Sequence, residues 1–261
     1  VSGLYFNDAN VALVGLFGIS RGNIKNVGVV ASYFKGKENV GSVCGSSLGN
    51  NCTITNCFST STVSGTKYVG GVCGYISNNS ITQNFHTGIV SGSYRVGGVC
   101  GYLNASTMKD CYHTGSVTAT ASNGDVGGVI GYMYGSSTSA TNCYNAGDVI
   151  GSSEYVGEIC GQLYSGTVRN CYYLTSTSDN AGGKTAAQFA SGEVAWLLNG
   201  SQPTGTWGQL LGTDNLPVLD NTNKVYYGYP SCDESKGVGY YNTETQASRP
   251  AHSFNIHGIC S

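Results

Sequence analysis

The chain has 261 residues with 40 Gly, 11 Cys and only 10% charged side chains, where ordinary soluble domains carry roughly 7% Gly and about 25% charged residues. Its 12 basic and 14 acidic residues leave a net charge of −2, which excludes nucleic acid or anionic membrane as a partner held by charge. A hydrophobic content of 40% excludes a disordered chain, and no apolar run approaches the roughly 18 residues of a membrane-inserted helix.

Taken in chain order, the sequence repeats itself. Val40-Gly-Ser-Val-Cys-Gly45, Val69-Gly-Gly-Val-Cys-Gly74, Val96-Gly-Gly-Val-Cys-Gly101, Val126-Gly-Gly-Val-Ile-Gly131 and Val156-Gly-Glu-Ile-Cys-Gly161 start 29, 27, 30 and 30 residues apart, and Leu13–Gly18 is a degenerate earlier copy. Each copy has a second block: Asn26-Val27, Asn56-Cys-Phe58, Gln83-Asn-Phe85, Asp110-Cys-Tyr112, Asn142-Cys-Tyr144 and Asn170-Cys-Tyr172. Between them lie short Val/Ile/Thr/Tyr runs punctuated by Gly, Ser and Asn, which cannot bury their apolar side chains singly but can when stacked. The pattern predicts an all-β fold, a right-handed parallel β-helix of about six coils of roughly 30 residues, with like residues in columns about 4.8 Å apart. All four prolines fall after residue 200, as expected if the strands of the repeat need every N–H.

The columns carry further expectations. Gly45, Gly74, Gly101, Gly131 and Gly161 suggest a fixed bend or a positive-φ corner in every coil. Asn26, Asn56, Gln83, Asp110, Asn142 and Asn170 suggest a second corner, with side chains hydrogen-bonded along the stack. Cys44, Cys73, Cys100 and Cys160 share a column with Phe17 and Ile130, and Cys57, Cys111, Cys143 and Cys171 share one with Val27 and Asn84. Exchange with apolar residues predicts buried, reduced thiols, although adjacent coils lie within disulfide range. The first coil would expose a strand edge, which allows end-to-end self-association, and the lack of a start Met at Val1 reads as a piece excised from something longer.

The pairing of Val-Gly-Gly-Val-Cys-Gly-Tyr with a downstream Asn-Cys-Tyr and Thr-Gly-Ser-Val, clearest at Val96–Gly101 and Cys111–Val117, resembles the GLUG-motif repeats of bacterial surface proteins and adhesins. The resemblance covers roughly residues 11–175. It implies an extracellular, cell-surface role and no reaction. Several copies here carry Val-Cys where many such repeats carry Leu-Val.

Beyond the repeats, assigned to residues 1–175, Thr185-Ala-Ala-Gln188 has capping-box spacing and Asn199-Gly200 is a stop, so 185–200 reads as one or two short helices. With Trp196, Leu197, Leu198, Trp207 and Leu216 it supplies apolar bulk, and 176–222 is read as a C-terminal cap over the last coil. Residues 223–261 form a Cys- and Tyr-containing tail. His252–Cys260 resembles the front of a zinc-ribbon-like element whose second Cys would lie beyond Ser261, and a Cys232–Cys260 disulfide is the preferred alternative.

Two tyrosine columns are candidate binding residues: Tyr75, Tyr102 and Tyr132 after the glycine, and Tyr112, Tyr144 and Tyr172, joined by Phe58 and Phe85. Stacked rings either stiffen the ladder or, if exposed, form a strip for an extended glycan of host or polysaccharide origin. Tyr68, Arg95, Asp125 and Tyr155 share a column beside Glu154, which reads as an Arg95–Asp125 ion pair in preference to the acid–base pair of a β-helix lyase or hydrolase. His86 and His113, flanked in their column by Ser59 and Asn145, read as surface histidines without a third metal ligand. No P-loop, dinucleotide fingerprint, His-Glu-x-x-His or nucleophile elbow occurs, so no cofactor and no catalytic residue is assigned. The expected function is a non-catalytic structural and adhesion module whose partners are surface components or glycans.

Overall fold

The computed structural model describes residues 1–177, 179, 182–228 and 239–242. Residues one repeat apart lie side by side: Cys73 pairs with Cys44 and Cys100, and Val69 with Val40 and Val96, all in parallel register. Each coil therefore gives one short strand to each of five parallel sheets, the coil from Cys73 contributing Cys73–Ser77, Ser80–Thr82, Phe85–His86, Val90–Gly92 and Tyr94–Gly97. Residues Val1–Tyr173 form an all-β parallel solenoid of about six turns.

Its interior is filled by aligned aliphatic side chains. Val40, Val69, Val96 and Val126 form one fully buried column, Val43, Val72, Val99 and Val129 another, and Ile54, Ile81 and Met108 a third. Burying such a side chain contributes roughly 1.5–3 kcal/mol, and no coil could bury its own without the next.

Two corners explain how strands this short stay in register. Asn26, Asn56, Gln83, Asp110, Asn142 and Asn170 all adopt left-handed backbone with φ between 52° and 57°. Along this column Asn56 Nδ2 donates to Asn26 Oδ1 at 2.7 Å, Asn142 Nδ2 to Asp110 Oδ1 at 3.1 Å and Asn170 Nδ2 to Asn142 Oδ1 at 2.8 Å. The amide corner expected from the sequence is present.

The regular recurrence of Gly45, Gly74, Gly101, Gly131 and Gly161 has a different cause from the positive φ expected of it. None of the five has positive φ; a Cβ on Gly101 would lie 2.5 Å from Val69 N and 2.6 Å from the Tyr68 carbonyl carbon, and one on Gly131 would lie 2.6 Å from Val96 N. These glycines let one strand pass against the corner of the preceding coil. The left-handed residues of that corner are instead Leu13, Asn39, Tyr68 and Arg95, with φ of 63°, 55°, 56° and 56°.

Contacts divide the chain into two compact units, Val1–Tyr173 and the remainder from Leu174. In the second, helix α1 (Ala186–Ala190) starts at a capping box in which Gln188 N–H donates to Thr185 Oγ1 and Thr185 N–H donates to Gln188 Oε1. Helix α2 (Glu193–Leu198) follows left-handed Gly192. Phe189, Val194, Ala195, Leu198 and Trp207 are buried, and Asn199 clamps the Trp207 backbone through both its amide groups. Tyr226–Gly228 and Gly239–Tyr241 pair antiparallel. Cys232, His252 and Cys260 lie outside the described residues. Among the described residues no helix is long and apolar enough to cross a membrane.

Candidate functional site

The two tyrosine columns part company in the structure. Phe58, Phe85, Tyr112 and Tyr144 stack almost parallel, with centroid separations of 5.1, 4.7 and 4.8 Å and interplanar angles of 11°, 4° and 3°. Tyr112 and Tyr144 are buried, and burial pushes the Tyr112 phenol up to about 12 and the Tyr144 phenol well above its ordinary value. Tyr172, half-buried, donates its hydroxyl to Asn170 Oδ1 at 2.6 Å. This column is not an exposed strip, which removes Tyr112 and Tyr144 as ligand-binding candidates; a stacked ring column stiffens the ladder instead.

The other column is built around a guanidinium. Tyr75, Tyr102 and Tyr132 meet edge to face, at 5.1 and 5.2 Å with interplanar angles of 79° and 82°. Arg95 Cζ lies 4.0 Å from the Tyr132 centroid, 5.0 Å from that of Tyr102 and 5.4 Å from that of Tyr68. Its Nη1 donates to Tyr68 Oη at 3.2 Å and its Nε to Asp125 Oδ2 at 3.4 Å. The expected Arg95–Asp125 pair is thus present, but part-buried, with side chains 27% and 10% exposed. Burial raises the Asp125 carboxyl while Arg95 opposes the shift, and burial pushes the Tyr102 phenol up to about 12. Tyr75 and Tyr102 remain half-buried, whereas Arg95 lies against the nearly covered Tyr132.

Beside this assembly a cleft of about 440 Å³ is lined by Lys67, Tyr94, Arg95, Asn123, Asp125, Tyr155 and Gln162. Tyr94 is 39% exposed. The side chains come from successive coils, so the cleft crosses the ladder. Sequence reasoning alone does not single out Lys67, Tyr94, Asn123 or Gln162; the available signals are that Gln162 ends the Tyr75 column and that Asn123 sits where the repeat lengthens from 27 to 30 residues.

Tyr68 and Arg95 reach this place from a corner that is left-handed in successive coils, at Leu13, Asn39, Tyr68 and Arg95, at a cost of roughly 1–2 kcal/mol for each such L-residue. At two of these corner positions the repeat thus supplies a ring and a guanidinium, and Tyr68 and Arg95 complete the assembly.

The histidine pair corrects the surface reading. His86 and His113 are fully buried, and their rings stack at 5.3 Å and 7°. Nε2 of His86 donates to Ser61 O at 2.8 Å and Nε2 of His113 to Gly88 O at 3.2 Å, which fixes the tautomer because a carbonyl only accepts. Nδ1 of His86 is buried without a partner, and burial lowers the pKa of His86 to about 3 and, against the opposing effect of the Gly88 carbonyl and the Asn145 side chain, that of His113 to about 4. Among the described residues no group of three or more His, Cys, Asp and Glu side chains is arranged to hold a metal.

The nine described cysteines are free and all but Cys160 are buried. Cys44, Cys73 and Cys100 donate to the carbonyls two residues ahead, at 3.2–3.4 Å, while Cys57, Cys111, Cys143 and Cys171 donate to carbonyls two residues behind, at 3.2–3.3 Å. Burial pushes Cys160 up to about 12 and Cys100 higher still.

No protein-family profile matches the chain, and no curated protein does. Among solved structures, the chain is similar to a candidate immunoglobulin A1 protease from Bacteroides ovatus, with a TM-score of 0.63 and 21% identity over 85% of this chain and 75% of that one. At that identity the likeness shows a shared β-solenoid fold.

Proposed function

We propose that the chain is a non-catalytic structural and adhesion module of a bacterial cell-surface protein, acting outside the cell. The solenoid supplies a rigid frame and the Arg95 cleft is its recognition face. The observation that carries this reading is the Arg95 assembly, in which a guanidinium is held by three rings and a carboxylate at the rim of an open cleft. Such a preorganised mixture of aromatic faces, amides and charges gives up little side-chain entropy when it binds. The GLUG-like repeat pattern supports the surface location.

The test is retention of the purified chain on immobilised host and plant glycans. Native protein should bind, and Tyr94→Ala, at an exposed ring, should bind at least fivefold more weakly with unchanged melting temperature. Absence of binding to every surface would remove the recognition role. Cleavage of an acidic glycan by the native chain, lost in Asp125→Asn, would overturn the non-catalytic assignment.

A further inference from the structure

We infer that the Arg95 cleft selects an acidic oligosaccharide, with Lys67 as the contact for its carboxylate. The inference rests on the recognition role just proposed and specifies its ligand. Three observations carry it.

The first is a charge imbalance. The lining holds two cations, Lys67 and Arg95, against one anion, Asp125, in a chain whose net charge is −2. Arg95 is neutralised in place by Asp125, whereas Lys67 forms no ion pair among the described residues, although Glu38 is its register neighbour. Its Nζ stands 4.6 Å over the Tyr68 ring. A cation parked on a ring face keeps part of its interaction when an anion arrives, and the half-buried site screens that anion less than bulk water does.

The second is the mixture of hydrogen-bonding groups. Asn123 and Gln162 offer both donors and acceptors, Tyr94 offers a hydroxyl and a ring face, Tyr155 offers its ring while Glu154 beside the cleft engages its hydroxyl, and Arg95 engages Asp125 through Oδ2 only. Asp125 Oδ1 can accept from a ligand hydroxyl. That arrangement suits a sugar, which presents hydroxyl donors beside its carboxylate. An acidic peptide presents one backbone N–H donor per residue, fewer than the several hydroxyls that surround each acidic sugar ring.

The third is direction. Lys67, Arg95, Asp125 and Tyr155 come from four consecutive coils, a span on the order of 14 Å at the spacing of parallel strands. The cleft therefore fits an extended chain of sugars along the ladder better than a single ring.

The test uses surface plasmon resonance with oligogalacturonate, its fully methyl-esterified form, a neutral galactan and poly-glutamate. Native protein should prefer oligogalacturonate to the esterified form by at least tenfold, with affinity falling as salt rises. Lys67→Gln should abolish the preference and Lys67→Arg should restore it, both with native melting temperatures. Equal binding of charged and esterified forms, or of the neutral galactan, would overturn the acidic class while leaving a glycan-binding module. Preference for poly-glutamate would overturn the glycan class, and no binding to any of the four, with retention on other glycan surfaces, would overturn this inference alone.

Discussion

Gly98 lies directly against the imidazole of His113: a Cβ on this glycine would overlap the ring at Cγ and Nδ1, and the carbonyl oxygen of Gly128 as well. Gly71 stands in the same relation to His86, and Gly128 to Asn145. The second glycine of the Val-Gly-Gly-Val block is therefore the steric counterpart of the buried polar column. Where that column holds only Ser59, the block has Ser42 in place of the glycine.

Replacing Gly98 by Ser should accordingly destabilise the protein by about 1–3 kcal/mol through overpacking. Adding His113→Ser should recover much of that loss, because it recreates the Ser pairing of the first full coil. A double-mutant cycle in urea measures the coupling. Additive losses in the double variant would show that Gly98 is required by the backbone alone.

The stacked imidazoles give the fold an acid sensitivity of defined sign. His86 and His113 have folded-state pKa values lowered to about 3 and about 4 from the ordinary 6.5, chiefly by burial, so the unfolded chain binds more protons between these limits. The stability they contribute is complete above about pH 6.5 and is lost as pH falls towards 4 and 3, on the order of a few kcal/mol for the pair. Thermal melts between pH 7 and 4 should show this loss. His86→Asn with His113→Asn, which copies the Asn145 already present in the same column, should flatten it, and an equally steep loss in the variant would assign the sensitivity to other groups.

Thiol chemistry should follow depth in the solenoid. Burial and raised pKa values leave Cys73 and Cys100 without the thiolate needed for exchange, and Cys44 is as deeply buried, although successive coils bring the three backbones within bridging range. Intact mass measured without reductant should show fewer than four intrachain disulfides. Timed alkylation of native protein should label half-buried Cys160 before those three. Four or more bridges would refute the reading.

Much of this architecture is legible because a repeat writes its own register: aligning Val40, Val69, Val96, Val126 and Val156 in sequence aligns them in space. The amide corner is legible for the same reason, since Asn tolerates left-handed φ. Facing is not. His86 and His113 sit in two-residue strands, too short for an alternation of polar and apolar residues to reveal which side points inward. The glycine column is ambiguous in sequence because close backbone approach and positive φ both select glycine, and only the three-dimensional structure separates them. The cleft is illegible as a unit because Lys67, Asn123 and Gln162 belong to different columns of different coils.

The rings around Arg95 should prove structural, with recognition carried by the cleft beside them. Tyr132 is 7% exposed and Tyr102 half-buried, and both hold the guanidinium, at 4.0 and 5.0 Å from their centroids, so their faces are engaged by Arg95 in preference to a ligand. Tyr102→Ala with Tyr132→Ala removes two faces from Arg95 and leaves a void in the outer layer, where loss of such a ring costs up to about 3–5 kcal/mol in a packed site. Differential scanning fluorimetry should show a fall of several degrees, and the Arg95–Asp125 pair should loosen with it. Tyr94→Ala removes a ring that is 39% exposed, and should change the melting temperature little. Measured below the melting range of both, glycan retention should therefore fall in Tyr94→Ala at constant stability, but in the double variant only in proportion to lost order at Arg95. Retention lost in the double variant at unchanged melting temperature would instead make the Tyr75–Tyr102–Tyr132 column itself the binding surface.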